Sequence, residues 1–113
     1  MDFDKETSER IGELQVLEGH LQSFMAQKQG VQIEFNEVNN AIEELKKSGE
    51  EVYKVVSGFM FKSTKEKLNA ELGEKKKFLE MKIESMEKQE MLIEKDAEKL
   101  RGEINKIVSK AKK

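Results

Sequence analysis

The sequence holds one histidine, His20, with Glu13 and Glu18 nearby. An imidazole beside carboxylates is the raw material of a metal site, but this one has no second nitrogen or sulfur ligand near it and makes a poor centre. The chain has no Cys, which removes thiolate zinc sites, cysteine nucleophiles and disulfide scaffolds. It offers no Gly-rich phosphate loop and no nucleophile–base set. Lys75-Lys76-Lys77 is a basic run, yet Glu71, Glu74 and Glu80 surround it, so it reads as a solvated helix face. Met81, Met86 and Met91 form a loose set of flexible thioethers, a chemistry that suits promiscuous binding surfaces. Met86 falls on an apolar seam and reads as core, whereas Met81 and Met91 read as ordinary packing or surface. The expectation is a non-enzyme with no metal and no cofactor.

The elements that carry these residues are elongated. Of 113 residues, 39 % are charged and 36 % hydrophobic. A globular domain usually carries nearer half apolar and about a quarter charged, and the deficit argues against a thick two-layer core. Leu, Ile and Val remain frequent enough to argue against wholesale disorder. There is no Pro, the strongest helix breaker, which permits long unbroken helices. The net charge is −2, from 21 basic and 23 acidic residues, and gives no general reason to bind nucleic acid or an anionic membrane. No apolar run approaches the roughly 20 residues that span a bilayer. Met1-Asp2-Phe3-Asp4-Lys5-Glu6 is acidic and polar, unlike a signal peptide. A cytoplasmic protein is expected.

Two heptad patterns flank a short apolar segment. In the first, about residues 7–48, Leu14, Leu21, Lys28, Phe35 and Ile42 interleave with Leu17, Phe24, Val31, Val38 and Leu45. All but Lys28 are apolar. This is the seam that buries one stripe of a helix against a partner helix, on a rod of roughly 63 Å. Gly49 suits a C-cap after Lys46-Lys47. In the second, about residues 64–111, Leu72, Leu79, Met86, Ile93, Leu100 and Ile107 interleave with Lys76, Ile83, Glu90, Ala97, Ile104 and Ala111. Lys76 and Glu90 are polar breaks. Ser63 with Glu66 three residues on reads as a capping box.

Between them, residues 52–62 (Val52-Tyr53-Lys54-Val55-Val56-Ser57-Gly58-Phe59-Met60-Phe61-Lys62) are β-branched and aromatic around Ser-Gly, the composition of a β-hairpin. If Ser57 and Gly58 are the turn, Val56 faces Phe59 and Val55 faces Met60. A type II′ turn usually wants Gly first, so a longer or shifted turn stays open. One face would carry Val56, Phe59 and Phe61, the other Tyr53, Val55 and Met60.

A short connector favours antiparallel helices. Charge agrees, since residues 1–18 carry a balance of −4 and residues 101–113 one of +4. A solvated surface explains that asymmetry as well, because exposed pairs contribute little. An isolated two-stranded ribbon is marginal in water, and this one has two apolar faces and two open edges. The strands are therefore expected to join a sheet or barrel built from several chains; the alternative is that they fold onto their own helices. The fold class expected is mainly α, a single domain over residues 1–113: a long antiparallel two-helix coiled coil joined by a β-hairpin that oligomerises into a β-barrel platform. The oligomerisation residues would be Val52, Tyr53, Val55, Val56, Phe59, Met60 and Phe61.

The chain resembles the β-type subunit of prefoldin, the hexameric chaperone of archaea and eukaryotes, over nearly its whole length. The resemblance rests on Gln27-Lys28-Gln29, Asn36-Glu37-Val38 and Ala41-Ile42-Glu43-Glu44-Leu45, then on Val52-Tyr53-Lys54-Val55-Val56, Lys62 and Glu87-Lys88-Gln89-Glu90, in that order and spacing. The family often has Gly-Pro at the hairpin turn, where Ser57-Gly58 stands here. The resemblance implies a hexamer of two α-type and four β-type subunits, a double β-barrel platform with six coiled coils hanging from it, and both termini at the free tips. It also implies ATP-independent capture of unfolded proteins at those tips and their delivery to a group II chaperonin.

The residues supply a physical basis for capture. Phe3, Ile11, Val16 and Val108 are apolar and off the seam, and Leu14, Leu17, Ile104 and Ile107 would be partly exposed if the ends splay. Gly12, Gly19 and Gly102 lie outside the seam, where Ala would be better by about 1 kcal/mol each, and should loosen the distal helices. Weak contacts on several tentacles would add through effective concentration. A second reading is a structural coiled-coil adaptor or tether that binds one defined partner, for which two apolar strands in mid-chain have no use. A third, a nucleic-acid-binding arm, needs a basic stripe that the sequence lacks.

Overall fold

A computed structural model describes residues 4–111. The elements are α1 (Lys5–Lys46), β1 (Glu51–Val56), β2 (Phe59–Thr64) and α2 (Lys65–Ala111). The described residues are mainly helical, with one two-stranded antiparallel sheet.

α1 begins two residues before the expected start because Asp4 caps it. The Thr7 N–H donates to Asp4 Oδ1 at 2.7 Å, satisfying one of the free donors of the first turn. The hydroxyl and amide of Thr7 hold the Asp4 carboxyl below its ordinary range. Thr7 is 1 % exposed and lies seven residues before Leu14, so a polar residue extends the inward-facing series by one position.

The other end of α1 corrects the expected glycine cap. The helix stops at Lys46, and Gly49 does not adopt positive φ. The last carbonyls are met instead by a tightened turn, with Lys47 N–H donating to Glu44 O and Ser48 N–H to Leu45 O, both at 3.1 Å. The Ser48 hydroxyl also donates to Leu45 O, at 2.7 Å. The N-cap of α2 is likewise corrected from Ser63 to Thr64, whose Oγ1 accepts from the Lys67 N–H at 3.2 Å. Ser63 is withheld from capping because it pairs with Val52 in the ladder.

The hairpin register is Val56 opposite Phe59, Val55 opposite Met60, Lys54 opposite Phe61, Tyr53 opposite Lys62 and Val52 opposite Ser63. Ser57 and Gly58 are the turn, with φ of 51° and 81°. Positive φ at both central residues is the type I′ geometry, whose twist matches that of the strands. This settles the turn that the sequence left open: it is two residues long, and it does not need Gly first.

The chain forms two compact units. One takes in the chain up to Lys28 together with the chain from Ser85 onward, the other Gln29–Glu84. In the second unit Val38, Leu45 and Leu79 are buried, while Val31, Phe35, Ile42, Leu68, Leu72 and Ile83 are half-buried. Lys75 Nζ meets Glu34 Oε1 across the two helices at 3.3 Å. In the first unit Met86 and Ala97 are buried, and Leu14, Leu17, Leu21, Phe24, Ile93, Leu100, Ile104 and Ile107 are half-buried. There the helices are cross-linked by Arg10–Glu103 at 3.8 Å, Arg101–Glu18 at 3.6 Å and Lys28–Glu90 at 2.7 Å. Rising numbers on α1 meet falling numbers on α2, so the pairing is antiparallel. A helix pair has one neighbour per helix, which is why most seam residues stay half-buried.

Candidate functional site: the apolar hairpin and the helix ends

Strand alternation divides the ribbon into two faces. Val52, Lys54, Val56, Phe59, Phe61 and Ser63 share one, and Glu51, Tyr53, Val55, Met60, Lys62 and Thr64 the other. Tyr53, Val55, Val56, Phe59, Met60 and Phe61 are all about half exposed or more, with Phe59 and Met60 at 69 %. Six large apolar side chains open to solvent on a ribbon of two six-residue strands is a concentration that marks an interaction surface. Val52 stands apart: at 9 % exposure it is buried within the chain at the base of the ribbon, so its side chain has little left to offer a neighbour. Among the described residues both outer edges of the ribbon are unpaired.

Two lysines tie the ribbon to the helices. Lys54 Nζ lies 3.2 and 3.1 Å from the two carboxylate oxygens of Glu71 on α2. Lys65 Nζ donates to the carbonyls of Lys46 and Ser48. Neither role was visible in the sequence, since the partners lie 17 to 19 residues apart and no periodicity links them. On the outward face, Lys62 pairs with Glu51 at 2.6 Å.

The helix ends are paired along the apolar seam, with most of their candidate client residues half-buried. Both helices run unbroken through Gly12, Gly19 and Gly102. Ile11, Leu14, Leu17, Ile104, Ile107 and Val108 are half-buried in the first unit, and only Val16, at 58 %, is openly exposed among the described tip residues. Phe3 lies outside the described residues. A Cβ placed on Gly12, Gly19 or Gly102 would meet no atom within 4 Å, so these glycines are not required by close packing.

Other exposed apolar residues lie off the seam: Met25, Ile33, Phe78, Met81, Met91 and Leu92. The heptad pattern already excluded them from the seam, and Met86 alone of the three methionines is buried. His20 is exposed, and among the described residues no group of three or more His, Cys, Asp or Glu could hold a metal ion. The basic run is divided, with Lys75 paired to Glu34, Lys76 half-buried on the seam and Lys77 exposed. No helix among the described residues is long and apolar enough to cross a membrane.

Comparison with known proteins agrees with this architecture. The family described as "Prefoldin subunit" matches residues 8–111. The chain is 30 % identical over 107 residues to the prefoldin subunit beta of Saccharolobus islandicus, covering 93 % of this chain and 85 % of that one. It is 31 % identical to that of Sulfurisphaera tokodaii over 107 residues, covering 93 % and 86 %, and 33 % identical to that of Pyrobaculum arsenaticum over 97 residues, covering 84 % and 78 %. The crystal structure of the prefoldin beta subunit from Thermococcus strain KS-1 superposes with a TM-score of 0.87 at 30 % identity, covering 94 % of this chain and 95 % of that one. The fold and the extent of these matches place the chain in the prefoldin family, as a chaperone subunit that assembles with other prefoldin subunits.

Proposed function

We propose that the chain is the β-type subunit of a cytoplasmic hexamer of two α-type and four β-type subunits, which captures unfolded proteins without ATP and passes them to a group II chaperonin. The observation that carries this reading is the hairpin, where Tyr53, Val55, Val56, Phe59, Met60 and Phe61 stand exposed on a ribbon with two free edges. Neighbouring hairpins cover these side chains and extend the sheet into a β-barrel platform. A tether to one defined partner has no use for such a ribbon.

Client capture falls to the helix ends. Val16 offers an open apolar contact, and Ile11, Leu14, Leu17, Ile104, Ile107 and Val108 become available when the ends part; Phe3 belongs to the same set by sequence. Parting is cheap, because each helix end has a single neighbour and Gly12, Gly19 and Gly102 each weaken the helix by about 1 kcal/mol relative to Ala. Individual contacts are weak, and several tentacles on one platform raise the affinity through effective concentration. The chemistry is binding alone, with no catalytic group, metal or cofactor.

The test is removal of residues 1–12 and 104–113. The shortened chain should still enter the hexamer, by native mass, and should no longer suppress aggregation of unfolded proteins. Undiminished suppression would move the client site elsewhere. Recovery of the full chain as a homodimer, or with one stoichiometric partner, would overturn the hexamer.

A further inference from the structure

At the junction where both helices meet the hairpin, Lys65 ties the two sides together. Lys65 opens α2 directly after β2. Its ammonium donates to the carbonyls of Lys46 and Ser48, each at 3.2 Å, and its N–H donates to Glu50 O at 3.0 Å. Lys46 ends α1, while Ser48 and Glu50 belong to the connector into β1, so Lys65 engages three alternate carbonyls of the incoming chain. A helix C-terminus presents unsatisfied carbonyls and the negative end of the helix dipole, which an ammonium answers on both counts. β2 passes into α2 with no intervening residue, whereas residues 47–50 separate α1 from β1. The looser of the two connections is thus the one that Lys65 grips.

A second anchor acts on the ribbon itself. Lys54 extends from β1 to the Glu71 carboxylate on α2. It lies on the same face as Val52, which is buried at the ribbon's base, while towards the turn Val56, Phe59 and Phe61 on that face, like Tyr53, Val55 and Met60 on the other, stand exposed. Both anchoring lysines are half-buried, so their apolar stems pack while their charged ends bind.

We infer that Lys65, supported by the Lys54–Glu71 pair, is the positioning residue that sets the hairpin on the helices and thereby fixes the orientation in which its apolar side chains meet neighbouring subunits. The inference rests on the assembly reading given above. A ribbon already held in its bound orientation loses less freedom on association than one that swings, so these charges act on assembly more than on folding.

Lys65→Met keeps the apolar stem and removes the donors, Lys65→Arg keeps a cation, and Lys54→Glu with Glu71→Lys rebuilds the pair in reverse. Amide hydrogen exchange over residues 49–56 reads the clamp in the isolated chain, and native mass of the complex with its partner subunits reads assembly. Lys65→Met should keep the helical circular dichroism of the unaltered chain, exchange about tenfold faster over residues 49–56 and associate about tenfold more weakly. Lys65→Arg should recover most of both. Lys54→Glu alone should weaken association, and the reversed pair should restore it. Unchanged exchange in Lys65→Met, or loss of its helical signal, would overturn the inference, as would a reversed pair no better than Lys54→Glu alone. If the unaltered chain does not assemble, the assembly reading fails by itself, and the exchange measurement still decides whether Lys65 is a clamp.

Discussion

Lys28 Nζ lies 2.7 Å from Glu90 Oε2, and both residues occupy positions that the heptad pattern reserves for apolar side chains. Each interrupts its own helix's series, and the fold sets the two interruptions against each other. Their side chains are only 19 % exposed. Glu90 Oε2 is buried, and the Lys28 ammonium beside it compensates its charge. Breaking one member should hurt more than removing both, because it strands an uncompensated charge. Lys28→Met should lower the thermal midpoint, while Lys28→Leu with Glu90→Leu should match or exceed the unaltered chain. Circular dichroism melts of the three proteins decide it, and a single variant that melts with the unaltered chain would refute the coupling.

The same pair carries a pH signature. Contact with the Glu90 carboxylate raises Lys28 above the ordinary lysine value. A folded-state value above the unfolded one stabilises the fold fully at pH below the unfolded value and loses that contribution as pH rises through the folded one. The stability gap between the unaltered chain and Lys28→Met should therefore persist through neutral pH and close only above about pH 10.4. Denaturant melts between pH 7 and 11 test this, and a gap that closes near neutrality would contradict it.

The outward face of the ribbon yields an assembly prediction. Val55 and Met60 face each other across the strands and are both exposed. Val55→Glu with Met60→Glu should leave the helical signal of the isolated chain unchanged. In a platform the change would bury two like charges side by side, so the hexamer should be lost from the native mass spectrum. An intact hexamer would show that this face stays open to water.

The turn gives a local stability test. Ser57 sits at φ 51°, a left-handed conformation that costs most residues roughly 1–2 kcal/mol and that Asn tolerates better. Ser57→Asn should raise stability by about 0.5–1 kcal/mol, and Gly58→Ala, at φ 81°, should lower it by about 1–2 kcal/mol. Urea midpoints report both, and a stabilising Gly58→Ala would rule out the type I′ turn as the working geometry.

The tip glycines separate stability from function. Gly12→Ala, Gly19→Ala and Gly102→Ala each meet open space and should each add about 1 kcal/mol. If clients bind parted helix ends, the triple variant should be more stable and a poorer suppressor of aggregation. Equal suppression would mean that clients bind the closed pair.

Periodicity made the long-range architecture readable. Leu14 through Leu45 and Leu72 through Ile107 marked the faces that are buried, and Val55–Met60 followed once the turn was placed. Caps were less readable because several residues compete for each one. Asp4 and Thr64 take the caps by forming hydrogen bonds to the third amide on, whereas Ser63 is claimed by the ladder. The Lys65 clamp had no signature at all, because lysine is abundant and backbone carbonyls carry no sequence code. The tips are less readable for a related reason: glycines lower a helix's preference without saying whether a partner helix offsets the loss.

The ribbon's two unpaired edges have a consequence for how growth ends. A ribbon with one outer edge blocked can only terminate a sheet, but among the described residues β1 and β2 each leave an outer edge free, so every added copy recreates the site that accepted it. Such a unit specifies propagation and says nothing about number. A finite particle then requires curvature that brings the first edge back to the last, or a subunit of another kind whose strands close the circle.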